Sequence, residues 1–216
     1  MLAWDAIQHV KPLVPYASGT YANVFKACHG DVDVAIRVQK PAFQGSRQGV
    51  ETLRKDKEMR TAAWNGVNTL QSLHHHNIVS VLAVVVVPLT KMPALVMRWY
   101  PHTLRQLMGM PSVSIRKMCS LFIQVAGAVQ YMHAQFMLHR DLKPANILVN
   151  KDFNHAAVCD LDQAICLGDQ PYCQDYSGMP GGTPMYNAPE RVRGAYSTPL
   201  DVYALGNHTL GTAELP

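Results

Sequence analysis

The sequence predicts an α+β fold, on three observations. Valine-rich runs of five to nine residues, bounded by Gly, Pro, Asp and Asn, read as short strands: Val24–Cys28, Val32–Val38, Val79–Val87 and Ala94–Trp99. Two longer stretches, Glu51–Leu73 and Ser114–Gln135, carry apolar residues at three- and four-residue steps, the mark of a helix with one buried face. The chain has 216 residues, 48% of them hydrophobic and 16% charged, which suits a folded chain long enough for one large domain or a two-lobed one.

In order, Leu13–Val38 reads as a strand, a small-residue turn and two further strands, with His29-Gly30-Asp31 as the hairpin turn. The small-residue turn is Ala17-Ser18-Gly19-Thr20-Tyr21-Ala22-Asn23-Val24. The first helix presents Met59, Ala62, Ala63, Val67, Leu70 and Leu73 as one stripe. The second presents Met118, Leu121, Phe122, Val125, Val129 and Met132, with Ser114 as its N-cap. Beyond it come a turn over Asn150–His155 and a short strand, Ala156–Cys159, that ends at Asp160-Leu161-Asp162.

Several classes of function are set aside by composition. A net charge of +4 with no basic run does not call for nucleic acid. Val79–Leu89 is apolar but only eleven residues long, too short to span a bilayer, and Met1–Asp5 has none of the charge and hydropathy of a signal peptide. The five cysteines are scattered without a C-x-x-C, which sets the expectation of free thiols in a reducing, cytoplasmic setting. His74-His75-His76 points three ways at once, and no Cys/His set completes it at zinc spacing, so loop and core roles are expected there.

The densest chemistry lies in His139-Arg140-Asp141-Leu142-Lys143-Pro144-Ala145-Asn146, followed by the apolar Ile147-Leu148-Val149. Gathering so many ionisable groups for packing alone is costly. This stretch resembles the protein-kinase catalytic loop H-R-D-L-x-x-x-N at every fixed position. Further segments are similar to the same family: His75-His76-Asn77-Ile78-Val79, Gly182-Thr183-Pro184-Met185-Tyr186-Asn187-Ala188-Pro189-Glu190, and Asp201-Val202-Tyr203-Ala204-Leu205-Gly206. The resemblance covers about Leu13 to Gly206 and is of the serine/threonine type, with some likeness to the tyrosine-kinase-like group.

The resemblance implies a two-lobed fold: a β-rich lobe with one main helix over residues 1–97, a hinge over 98–101, and a mostly helical lobe over 102–216 that is incomplete. Helix faces near residues 115–135 and 200–210 are then expected to lack cover, and the chain is expected to be a truncated product or fragment of reduced stability. Asp141 takes the place of the group that orients and deprotonates the acceptor hydroxyl, and Lys143 neutralises charge on the transferred phosphate. Asn146 and Asp160 take the places of the Mg²⁺ ligands, hard oxygen donors in both cases. ATP would be covered by Ala17, Gly19, Ala22 and Val24, and lined by Ala35, Arg37, Met97, Arg98, Tyr100 and Leu148. Thr183 is placed to contact Asp141 and Lys143, and Asp201 to brace the backbone of the catalytic loop. Arg140 is placed to pair with a phosphate added at Tyr172, Tyr176 or Ser177.

Four departures stand beside these matches. Ala17 and Ala22 replace outer glycines of the phosphate loop, where bare backbone approaches phosphate closely. Arg37 stands where the family has the lysine of V-A-I-K, a non-conservative change at a phosphate contact. Gly66 falls where the ion-pairing helix glutamate belongs, Glu58 being about 12 Å upstream along a helix. Asp162 replaces the glycine of D-F-G. Two readings follow: an ATP- and magnesium-dependent serine/threonine kinase acting on protein substrates, or a pseudokinase that binds nucleotide or scaffolds partners. A small-molecule phosphotransferase fits the activation segment and Ala188-Pro189-Glu190 less well.

Overall fold

The structure is a computed structural model describing residues 15–18, 22–40, 61, 63–64, 66–87, 92–168, 170, 172–174 and 182–210. Its described residues divide into two compact units: those up to His74 together with Ser80–Trp99, and His75–Val79 together with those from Tyr100 onward.

The first unit is built on an antiparallel sheet of five strands: β1 (Ala17–Ser18), β2 (Ala22–His29), β3 (Val32–Gln39), β4 (Val81–Val86) and β5 (Pro93–Arg98), in the order β1-β2-β3-β5-β4. Gly30 turns β2 into β3 with φ 59°, a left-handed conformation that glycine adopts without a Cβ penalty. Side chains alternate across a strand and cross-strand partners share a face, so the register sorts the residues. Ala27, Val34, Ile36, Val85, Ala94 and Val96 form the core of one face. Ala17 pairs with Val24, Val24 with Arg37, and Ala35 with Met97, which puts all five on the opposite face. A helix, α1 (described at residues 61, 63–64 and 66–72), buries Ala63, Val67 and Leu70, and Leu73 is buried just beyond it. The start of the helix expected from Glu51, with Glu58, Met59 and Ala62, lies outside the described residues.

The expected strand from Val79 is shorter than its sequence pattern. Val79 donates its N–H to the carbonyl of Val158 at 2.9 Å, and Ile78 forms an isolated parallel bridge with Val158. Those residues therefore belong to the second unit, and β4 begins at Val81. The apolar run reads as one strand, but its first residues find their backbone partners elsewhere.

The second unit begins with β6 (His102–Thr103) and a helix that the sequence pattern does not announce, α2 (Leu104–Met108). Thr103 caps it: its hydroxyl accepts from the Gln106 N–H while the Gln106 side chain accepts from the Thr103 N–H, a capping box. The dominant helix is α3 (Ile115–Ala134), capped by Ser114 and buried along Leu121, Val125, Ala128, Val129 and Met132. It leads through β7 (Met137–Leu138) to β8 (Ile147–Val149) and β9 (Ala156–Val158), which pair with β6 in the order β6-β8-β9. Three short strands follow, β10 (Ile165–Cys166), β11 (Cys173–Gln174) and β12 (Ala195–Tyr196), then α4 (Pro199–Leu210).

Gln124 on α3 fastens this helix to the sheet. Its amide oxygen accepts from Asn77 Nδ2 at 2.9 Å and from the Ala156 N–H at 2.9 Å. Ile115 and Ile123 on α3 are 82% and 72% exposed, and Val202 on α4 is 58% exposed, on the two helices expected to show uncovered faces. Among the described residues no helix is long and apolar enough to cross a membrane.

Candidate functional site

The loop from His139 to Asn146 is held by one buried carboxylate from α4. Asp201 is 2% exposed, and its Oδ2 accepts from the His139 N–H at 2.9 Å and lies 3.0 Å from His133 Nε2, while its Oδ1 accepts from the Arg140 N–H at 3.0 Å. Burial alone pushes this carboxyl up, yet the bonds from His133, His139 and Arg140 outweigh it and hold Asp201 below the ordinary carboxylate range. The expectation for Asp201 is met in detail. His133, its side-chain partner, is a residue the sequence reading missed, although a lone histidine in the last turn of an apolar helix was the available signal.

His139 is fully buried. Its Nδ1 receives the Asp141 N–H at 3.3 Å, and a backbone N–H only donates, so the ring proton sits on Nε2. Nε2–H then donates to the Cys159 carbonyl at 3.0 Å, and the Cys159 N–H donates to the Asn146 carbonyl at 2.9 Å. Asp160, which follows Cys159, is thereby tied to the loop that carries Asp141 and Asn146.

Around Asp141 three side chains converge. Thr183 Oγ1 donates to Oδ1 at 2.8 Å, Lys143 Nζ donates to Oδ2 at 2.7 Å, and Asn146 Nδ2 approaches Oδ2 at 3.1 Å. Lys143 Nζ also donates to Thr183 Oγ1 at 2.8 Å, and Asn146 Nδ2 to the Asp141 carbonyl at 2.8 Å. An ionised carboxylate offers about four acceptor positions, so one on Oδ1 remains for a fourth donor. With its nitrogen directed to Asp141, Asn146 keeps its amide oxygen for a cation, and Asp160 supplies a carboxylate one residue past the Cys159 link. Among the described residues no group of three or more His, Cys, Asp and Glu is disposed to hold a metal. Asn146 and Asp160 each offer an oxygen donor of the hard kind that Mg²⁺ prefers.

Backbone conformation separates the two aspartates of Asp160-Leu161-Asp162. Asp160 takes φ 63°, whereas Asp162 lies inside a 3₁₀ turn, Leu161–Gln163, with no positive φ. The aspartate in place of glycine thus meets no left-handed requirement here. Gly182 does meet one, at φ 79°: a Cβ there would fall 2.7 Å from Arg191 Nη1 and 2.8 Å from the Arg140 carbonyl oxygen. Arg191 Nη1 donates to that carbonyl, next to Asp141, and the sequence reading passed over this arginine.

The remaining expected residues fall by unit. Ala17, Ala22, Val24, Ala35, Arg37 and Met97 line one sheet face of the first unit, since Ala22 pairs with Gln39, two residues from Arg37. Arg98 ends β5 and pairs with Val34, on the other face. Gly19 and Glu58 lie outside the described residues, as do Tyr176 and Ser177. Tyr172 is 57% exposed. Tyr100, Leu148, Asp141, Lys143, Asn146 and Asp160 belong to the second unit. Gly66 sits in α1, with open space where its Cβ would be.

Comparison with known proteins follows the same residues. The family model described as the protein kinase domain matches residues 17–211. Cyclin-dependent kinase G-1 of Oryza sativa subsp. indica is 32% identical over 195 residues, covering 87% of this chain and 26% of that protein. Cyclin-dependent kinase 11B of Mus musculus is 28% identical over 200 residues, covering 87% of this chain and 23% of its own length. Serine/threonine-protein kinase SSN3 of Chaetomium globosum is 30% identical over 213 residues, covering 88% of this chain and 38% of its own length. The chain thus spans about a quarter of the length of the first two. These relatives carry cyclin-dependent and serine/threonine kinase names, not names of the tyrosine-kinase-like group.

Proposed function

The chain belongs to the protein kinase domain family, and on that footing we propose that it is an ATP- and magnesium-dependent kinase that phosphorylates serine and threonine hydroxyls of proteins. The observation that carries this reading is the convergence of Lys143, Thr183 and Asn146 on the carboxylate of Asp141. In this reading the acceptor hydroxyl donates to the remaining position on Asp141 Oδ1. Its oxygen bonds to the terminal phosphorus of ATP, the bond from that phosphorus to the bridging oxygen breaks, ADP leaves, and the hydroxyl proton passes to Asp141. Lys143 sets a positive charge beside the incoming phosphoryl oxygens, and Thr183 holds Lys143 and Asp141 in register. Asn146 and Asp160 would hold Mg²⁺, which supplies charge neutralisation on the phosphates when bound.

In the first unit, Ala17, Ala22, Val24, Ala35 and Met97 are proposed to face the base and sugar, with Arg37 the cation for phosphate and Gly19 and Arg98 as further nucleotide contacts; in the second unit, Tyr100 and Leu148 are proposed as nucleotide contacts. Relatives named as cyclin-dependent and serine/threonine kinases support the choice of hydroxyl.

The test is phosphate transfer from Mg-ATP to casein by the purified chain beside its Asp141→Asn variant. Transfer at least about 100-fold above the variant is expected for loss of a positioned base; equal rates overturn the catalytic reading. Arg37 and Gly66 favour a second reading, a nucleotide-binding scaffold. Arg37→Lys raises turnover if the site is a weakened enzyme and leaves it at the Asp141→Asn level if it is a scaffold.

A further inference from the structure

Arg140 takes a left-handed backbone conformation, φ 68°, which is strained for a residue with a Cβ. Such a conformation persists where its surroundings over-determine it. Three elements do so here. Asp201 of α4 accepts the Arg140 N–H at 3.0 Å. The Arg140 guanidinium lies 4.0 Å from the centroid of the Tyr196 ring, on β12. Arg191, in the 3₁₀ turn Pro189–Arg193, donates Nη1 to the Arg140 carbonyl.

That carbonyl belongs to the peptide group joining Arg140 to Asp141. The other polar end of the same group, the Asp141 N–H, donates to His139 Nδ1 at 3.3 Å. The plane that carries Asp141 is thus pinned at both ends, and Arg191 supplies one of the two pins. Its surroundings hold it in place. Arg191 is 4% exposed, and its guanidinium lies 5.5 Å from the ring centroid of the buried Tyr196. Gly182 leaves room for it, since a Cβ there would fall 2.7 Å from Nη1 and 2.8 Å from Nη2. Burial pushes the Arg191 guanidinium below its ordinary value, as does the like charge of Arg140; Tyr196, also by a side-chain hydrogen bond, and the charge of Asp141 oppose this.

We propose that Arg191 is a positioning residue: by holding the Arg140–Asp141 peptide plane, it aims the Asp141 carboxylate at the acceptor hydroxyl. Without this bond the plane turns to relieve the strain at Arg140, and Asp141 drifts from Lys143 and Thr183. In this role Arg191 touches no substrate. The catalytic consequence rests on the kinase reading above, whereas the hold on the peptide does not.

Hydrogen exchange, followed by mass spectrometry, compares the natural chain with Arg191→Met and Arg191→Lys. Exchange of the loop over residues 139–146 is expected to be about tenfold faster in Arg191→Met, from loss of one hydrogen bond in the opening equilibrium. The sheet strands β2 and β3 should be unchanged, and Arg191→Lys, which keeps a charged donor, should restore most of the protection. Equal exchange in all three proteins, or faster exchange throughout the molecule, overturns the hold. In Mg-ATP assays kcat of Arg191→Met should be about 10–100-fold lower, with the KM for ATP within about twofold of the natural value. A raised KM with kcat unchanged overturns the positioning role. If the natural chain transfers no more phosphate than Asp141→Asn, the kinase reading fails, while the exchange result still decides the hold. Should Arg191→Met fail to fold, the ¹⁵N spectrum of the natural protein decides: two separate Arg191 Nη signals support the bond to the carbonyl, and one averaged signal refutes it.

Discussion

His139 Nε2 donates to the carbonyl oxygen of Cys159 across 3.0 Å, while its Nδ1 accepts the N–H of Asp141. One buried ring thus connects the loop of the proposed base to the residue preceding a proposed metal ligand. His139→Phe keeps the ring but removes both bonds, leaving the Cys159 carbonyl without its side-chain donor. A loss of about 1–3 kcal/mol is expected from the unmet groups, read as a lower midpoint in urea unfolding. An unchanged midpoint would show that the ring is only filler.

Asp201 governs acid stability. Its folded carboxyl lies below the ordinary range, so its contribution is complete above the unfolded value of about 3.9 and is lost as pH falls through the folded value. Asp201→Asn is expected to cost about 1–3 kcal/mol at neutral pH. As pH falls below about 3.9 the difference between the two proteins should begin to shrink, because the unfolded carboxyl takes up its proton before the folded one does, and it should vanish only below the folded value. Melting curves from pH 3 to pH 7 check this, and parallel curves would count against it.

Gly182→Ala is expected to destabilise. The positive φ costs about 1 kcal/mol or more for alanine, and the new Cβ meets the Arg140 carbonyl, a backbone atom that does not swing aside. The loss should fall by less in the Arg191→Met background, where only one of the two obstacles is removed. A neutral Gly182→Ala in thermal melts would mean that the turn relaxes freely.

Gly66→Ala has the opposite sign. Gly66 lies within a helix, and its Cβ would meet nothing within 4 Å. Alanine there is expected to raise stability by about 0.5–1 kcal/mol through helix propensity. Gly66→Glu should be tolerated equally well in the same melts; a marked loss in either variant would contradict the open environment.

Several parts of the fold were legible because they depend on local pattern. The stripe of Leu121, Val125, Val129 and Met132 reads directly as the buried face of α3, and Ser114 as its cap. Other parts escaped because they depend on distant partners. Nothing near Val79 says that its N–H would pair with Val158, 79 residues away by number. The short helix Leu104–Met108 has too few residues for a periodic signal and relies on the reciprocal bonds of Thr103 and Gln106.

The candidate site divides along the same line. The sequence alone determined the family and the chemical types at the site, since Asp141, Lys143, Asn146 and Asp160 sit at spacings that carry meaning whatever the surroundings. Tertiary structure decided which groups meet: Thr183 with Asp141, Asp201 with His133, His139 with Cys159, and two arginines with one tyrosine ring. The physical reason is that a hydrogen bond or a buried charge is defined by its partner's position, and residues up to 68 apart in the chain supply those partners.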